Sequence, residues 1–290
     1  MIDWPSTLIR DIARKRAVLF LGAGVSRNSV GEIRGKRPPS WIEFLNSALK
    51  QCPGSKSHIE KLIREKNLLV ACEIIKNKLG RNDWNEILRD EFVRPKYKPS
   101  NLHEYIFKLD LRLVLTQNFD KIYDTYAQSK SGGTVQIKHY YDDDVSRVLR
   151  EDGLAVVKVH GTIDKPAEMI FTRKEYSQAR YKYASFYSIL DALTLTHTFL
   201  FLGCGLADPD IQLFLERYSS TYKSDSPHYI VLPKNETIHK DYIDAIETDL
   251  NLKLLTFDPR NNHKELIKSI QKLVELVDAK KQELAESQNW

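Results

Sequence analysis

The chain has 290 residues, 42% of them hydrophobic and 29% charged, with a formal net charge of +5. That is the composition of a soluble globular protein, long enough for one large domain or a domain carrying an insertion. Basic and acidic residues are interleaved, which permits nucleic-acid contact without requiring it. Three widely spaced cysteines, Cys52, Cys72 and Cys204, form no Cys-x-x-Cys pair, which argues against a thiolate zinc site and against a disulfide framework. The start, Met1-Ile2-Asp3-Trp4-Pro5, lacks the pattern of a signal peptide, and no apolar stretch reaches membrane-spanning length, so the expected compartment is the cytoplasm.

In chain order, Thr7 to Lys15 reads as a short helix leading into Ala17-Val18-Leu19-Phe20-Leu21, a continuous apolar run that suits a strand buried on both faces of a parallel sheet. It runs into Gly22-Ala23-Gly24-Val25-Ser26. Two glycines spaced by one residue allow a tight turn and a close backbone approach to an anion. The third glycine of the full dinucleotide fingerprint is missing. Residues 28–39 read as a loop. A helix capped by Ser40 follows, then one from Ser57 to Lys78 stopped by Gly80, then one from Asn82 or Asp83 to Val93. The expectation is a helical subdomain over 38–100, inserted into a main domain made of 1–37 and 101–290.

Beyond a short helix at Leu102 to Lys108, strands return at Arg112–Thr116, Val135–Tyr140 and Leu154–Val159, with a polar loop after the first and an acidic-capped helix from Asp142 or Asp143 after the second. Phe186 to Thr196 continues a helix, and the Tyr-rich stretch Tyr176 to Tyr187 is expected to pack its aromatics inward. Thr198–Leu202 is a strand ending in Gly203-Cys204-Gly205, after which Asp208 and Pro209 suit the N-cap and first residue of a helix. Strands at Tyr229–Leu232 and Leu252–Phe257 and a helix bearing Leu266, Ile270, Leu273 and Val277 complete the pattern. The alternation predicts an α/β fold: a Rossmann-like, doubly wound, mostly parallel sheet. Ligands of such sheets bind beyond the carboxyl ends of the strands. Four strand ends there carry glycines or polar groups: Gly22 to Ser26, Thr116-Gln117-Asn118-Phe119-Asp120, His160-Gly161, and Gly203 to Gly205. The remaining histidines show no metal-ligand spacing.

Gly22-Ala23-Gly24-Val25-Ser26, Thr116-Gln117-Asn118-Phe119-Asp120 and His160-Gly161 resemble, in order, the three signature motifs of the sirtuin superfamily. The continuation Ile163-Asp164, Phe171-Thr172, Glu175-Tyr176, Phe201-Leu202-Gly203 and Asp208-Pro209-Asp210 is similar to the bacterial sirtuin-like branch. Deacylase sirtuins carry a four-cysteine zinc module, which this chain cannot build, so the resemblance is to the zinc-free branch and no metal is expected. Members of that branch act in anti-phage defence by hydrolysing NAD+, alone or with HerA-type ATPases and Argonaute-like proteins.

The resemblance implies NAD+ as substrate, with Asn118 and His160 as catalytic residues. Asn118 would position the attacking water or the ribose hydroxyls, and His160 would be the general base. Gly22, Ala23, Gly24 and Ser26 would meet the pyrophosphate with Arg27 as charge partner. Asp120 would sit near the nicotinamide or steady its loop, and Gly203, Gly205 and Asp208 would surround the adenosine half. The plainer alternatives are that Asn118, Asp120 and Asp208 cap helices and that His160 is a satisfied hydrogen-bonder. A non-catalytic NAD+- or ADP-ribose-binding regulatory subunit is the alternative function, with a protein deacylase behind it. A homo-oligomer and a HerA-type ATPase partner are expected from the family alone.

Overall fold

The computed structural model describes all residues except 34, 149, 207–225, 235–239 and 288–290. Its centre is a seven-stranded sheet made of β1 (Ala17–Leu21), β2 (Leu113–Thr116), β3 (Gln136–His139), β4 (Ala155–Lys158), β5 (Thr198–Leu202), β6 (His228–Pro233) and β7 (Leu252–Phe257). The order is β3-β4-β2-β1-β5-β6-β7. Every pairing among them is parallel, so the fold is Rossmann-like and all-parallel rather than mostly so.

The apolar run of β1 explains its central place. Ala17, Leu19 and Leu21 enter the core on one face, and Val18 and Phe20 enter the core on the other. The first face is covered by α1 (Ser6–Ala13), α6 (Asn101–Lys108) and α12 (Arg260–Glu286), with Leu8, Ile106 and Ile270 buried there. The second is covered by α8 (Val145–Val148), α9 (Arg173–Lys182) and α10 (Ala184–Thr196), through Val148, Ala179 and Phe186. The short α2 (Ala23–Ser26) follows β1 directly, α7 (Ile122–Lys130) follows β2, and α11 (Lys240–Leu250) precedes β7.

A third core belongs to α3 (Trp41–Gln51), α4 (Ser57–Arg64) and α5 (Leu68–Phe92). Phe44, Trp84 and Leu88 fill it, but so do Ile163, Met169 and Phe171 from the segment after β4. Ser40 caps α3 in a capping box with Glu43.

Several local expectations need correction. The helix read as continuous from Ser57 to Lys78 is broken at Lys66, which takes φ 60°, between α4 and α5. The stop at Gly80 holds: with φ 72° and ψ 176° it leaves the helical region, and the two halves of α5 meet there at a kink. The stretch after β2 is not all loop, because α7 occupies it with Ile122, Tyr123 and Ala127 buried. The helix near Asp142 is one turn, since the Asp142 carboxylate instead accepts the His139 amide at 2.8 Å. The Tyr-rich stretch is two helices meeting at Tyr183; Tyr176, Tyr183 and Tyr187 pack against the core as expected, while Tyr181 points outward, 90% exposed.

Candidate functional site

The four strand ends singled out in the sequence belong to β4, β2, β1 and β5, which lie side by side in that order. The chain winds from β1 to one side and returns at β5 to the other, so the boundary between β1 and β5 is the switch point where such sheets hold ligands.

Two glycine loops interlock across that boundary. Gly22 N–H donates to the Leu202 carbonyl and Gly24 N–H to the Gly203 carbonyl, both at 2.9 Å. A Cβ on Gly22 would lie 2.5 Å from the Gly203 oxygen. Gly203 itself has φ +75° and a Cβ there would lie 2.5 Å from the Val25 nitrogen, so side chains are excluded from both partners. The glycine turn opens α2 at Ala23, and α2 is a single turn. Val25 N–H is taken by the Gly22 carbonyl at 3.1 Å. The amides of Gly22, Gly24 and Val25 are therefore engaged within the fold. Among the described residues Gly203 thus serves the approach of two backbones, while a Cβ on Gly205 would meet nothing. Asp208 lies outside the described residues.

Asn118 leaves the end of β2 and reaches the glycine loop. Its Nδ2 donates to the Gly22 carbonyl at 3.0 Å and to Ser26 Oγ at 3.1 Å, and Ser26 is buried. Its own N–H is held by Thr116 Oγ1 at 3.1 Å. Arg27 turns toward α3, where it pairs with Glu43. Burial pushes the Glu43 carboxyl up, but hydrogen bonds from Arg27 and Ser40 more than offset it and bring the group down to about 2. Asp120 is buried and its Oδ1 accepts the Ile122 N–H at 3.0 Å, so it turns the chain into α7. The bond is a turn just ahead of the helix, whose N-cap is Lys121.

His160 is 7% exposed. Its Nε2 and the Tyr176 hydroxyl are 3.0 Å apart, and its carbonyl accepts the Ile170 N–H at 3.1 Å. Gly161 makes the turn behind it with φ +83°, and a Cβ there would lie 2.4 Å from the Glu168 carbonyl oxygen. Phe119 stands between the loops, its ring centroid 6.3 Å from that of His160 and 4.3 Å from that of Phe171.

Sequence reading missed Lys158 and Asp124, and it named Tyr176 without giving it a place at the site. Lys158 is fully buried at the end of β4. It donates to the Asp120 carbonyl at 2.6 Å and to Asp124 Oδ2 at 2.8 Å, so it joins the β4 end to the Asn118–Asp120 loop. Burial pushes the Asp124 carboxyl up, opposed by Lys158. The signal was a lysine within an otherwise apolar strand, two residues before His160. No group of three His, Cys, Asp or Glu able to hold a metal occurs among the described residues, and no described helix is long and apolar enough to cross a membrane.

Residues 112–255 match the SIR2-like domain family. The chain is 25% identical over 241 residues to "NAD(+) hydrolase ThsA" of Bacillus cereus (strain MSX-D12), covering 81% of this chain and 47% of that protein. It is 27% identical over 238 residues to "NAD(+) hydrolase ThsA" of Enterococcus faecium, covering 81% of this chain and 46% of that protein. It is 27% identical over 204 residues to "Defense-associated sirtuin 2" of Bacillus subtilis, covering 69% of this chain and 19% of that protein. The chain thus spans about half the length of the first two relatives and a fifth of the third. The matched range takes in the Asn118 and His160 motifs and β2 to β6, so over residues 112–255 the chain is similar to SIR2-like domains.

Proposed function

We propose that this chain cleaves the bond between nicotinamide and ribose in NAD+, giving nicotinamide and ADP-ribose, as the NAD+-depleting arm of an anti-phage defence system. The observation that carries the reading is the adjacency of His160, Asn118 and the two glycine loops at the ends of β4, β2, β1 and β5. The names of the relatives support it.

Breaking this bond releases a neutral pyridine from a cationic one through an oxocarbenium-like state. The reaction asks for a fixed ribose, a placed water and a base. His160 is the base toward the water or a ribose hydroxyl. Asn118 orients that water or the ribose, and through Gly22 and Ser26 it also holds the glycine loop in register with β2. Gly22, Ala23, Gly24, Ser26 and Arg27 remain our assignment for the pyrophosphate, with side chains and the Ala23 end of the turn bearing more of the contact than the engaged amides. Asp120 steadies the loop by turning the chain into α7. Gly203, Gly205 and Asp208 are assigned to the adenosine half. Residues 38–100 are taken as an inserted helical subdomain, and a homo-oligomer with a HerA-type ATPase partner remains our expectation for the assembly.

One observation favours a second reading. The Asn118 amide nitrogen is committed to the fold, as it would be in a regulatory subunit that binds NAD+ or ADP-ribose without cleaving it. Mass-spectrometric product analysis after incubation with NAD+, with and without candidate partners, separates the two. Release of nicotinamide by the wild-type chain, abolished in His160→Ala and in Asn118→Ala with the fold retained, is the expected result. Wild-type turnover in either variant refutes the site.

A further inference from the structure

Tyr176, one of the aromatics in the stretch 176–187, is placed against His160. Its hydroxyl lies 3.0 Å from His160 Nε2, and the two rings meet edge to face with centroids 5.2 Å apart and planes at 86°. The position of Tyr176 is fixed in turn by its sequence neighbour. Glu175 closes the capping box of α9 with Thr172, and its Oε2 accepts the amides of Phe171 at 2.9 Å and Thr172 at 3.0 Å. Its other oxygen pairs with Lys76 of α5. The Lys76 ammonium also stands 5.6 Å from the centroids of the Trp84 and Phe171 rings, in cation–π range of both. The side chains of Lys76 and Glu175 are 27% and 25% exposed, so water screens this pair only in part. A continuous chain of contacts therefore runs from α5 through Lys76, Glu175 and Tyr176 to the histidine.

We propose that Tyr176 is a positioning residue for His160, held in place from α5 by the Lys76–Glu175 pair; the role in turnover rests on His160 being the base. A phenol hydroxyl donates to the lone pair of a neutral imidazole nitrogen and, after rotation, accepts from the N–H of an imidazolium. It therefore fixes the ring in both protonation states. Its bond to the cation is charge-assisted and the stronger of the two, so it favours the protonated form and makes His160 a better proton acceptor. Of the charged groups of the surrounding elements, Glu175 is paired with Lys76, Asp124 with Lys158 and Asp164 with Lys121, Arg180 lies over the Tyr187 ring, and the buried Asp120 carboxylate accepts the Ile122 amide. Replacing Tyr176 by Phe removes the hydroxyl and leaves those pairs and the ring in place.

The test is a pH titration of the whole chain with isotope-labelled histidine, followed by NMR in the absence of NAD+. The His160 resonance is identified by its loss in His160→Gln. Tyr176→Phe should lower the His160 midpoint by about half a pH unit or more, since the lost bond favours the cation. Tyr181→Phe, at an exposed tyrosine, should leave it unmoved. In turnover, Tyr176→Phe should lower kcat by about tenfold and leave KM within about twofold, with the acid limb of the profile moved to lower pH. An unmoved midpoint in Tyr176→Phe overturns the proposal. So does a rise in turnover, which would make the tyrosine a plug on the base. A chain that releases no nicotinamide under any condition sinks the glycohydrolase reading instead, and the titration still decides whether Tyr176 governs His160.

Discussion

Lys158→Met tests the packing beneath the site. The ammonium is the meeting point of the Asp120 carbonyl at 2.6 Å and Asp124 Oδ2 at 2.8 Å, and the side chains of Lys158 and Asp124 are 1% and 8% exposed. Methionine keeps most of the volume but leaves a carboxylate inside the protein without its counter-charge. Breaking such a pair by removing one partner costs about 3–5 kcal/mol. For an m-value of about 3 kcal/mol/M, that is a fall of more than about 1 M in the urea midpoint. The pH dependence has a definite sign. Burial already raises the Asp124 carboxyl, and losing Lys158 removes the main influence lowering it. A folded-state pKa raised above the unfolded value of about 3.9 means that folding favours the protonated form, so stability is kept at low pH and lost as pH rises through the folded pKa. The deficit of the variant relative to wild type should therefore be larger at pH 8 than at pH 5, while Lys158→Met with Asp124→Leu should regain much of the loss. Urea unfolding followed by circular dichroism at both pH values measures this. A midpoint within about 0.2 M of wild type, or a deficit that grows on acidification, refutes the reasoning.

The glycine turns give a graded comparison. Gly161→Ala and Gly203→Ala add both a disfavoured φ and a backbone clash at 2.4 and 2.5 Å, whereas Gly35→Ala adds only the φ penalty of a +77° position with open space around it. The first two should cost several times the roughly 1 kcal/mol expected of the third, read from thermal denaturation. Burial pushes the imidazoles of His103 and His228 down to about 4. The unfolded chain takes up their protons first, so stability should fall between pH 6.5 and about 4, by up to about 1.4 kcal/mol per pH unit for each. His103→Gln keeps a side-chain acceptor for the Ser100 amide and should remove one histidine's share of that slope.

The strands and their shared edge were legible because a buried parallel strand has a plain signature. Residues 17–21 and 199–202 are continuous apolar runs, each stopped by glycine, and both prove central. The helices were harder. α7 carries Ile122, Tyr123 and Ala127 among Asp124, Thr125 and Gln128, so its pattern reads as polar loop until Asp124 is seen to be buried with Lys158. The break at Lys66 was invisible because the apolar spacing on either side continues as if one helix ran through it. Ion pairs between residues 34 and 99 positions apart, Asp124 with Lys158 and Lys76 with Glu175, leave no periodic trace at all.

The helical region 38–100 does not close its core alone. Its core is closed by residues that follow the histidine in sequence: Phe171 stacks at 5.5 Å from Trp41 and 5.8 Å from Phe44, and meets Trp84 edge-on at 5.1 Å. Phe171 is two residues ahead of the start of α9 and touches Phe119, which sits between Asn118 and Asp120. Packed interiors are close-packed and respond to small displacements as units, so α3 and α5 cannot shift without moving Phe171. Phe171 in turn borders both the asparagine loop and the helix that presents Tyr176 to His160. A displacement of α3 or α5 would thus reach the surroundings of both candidate catalytic residues through one aromatic side chain.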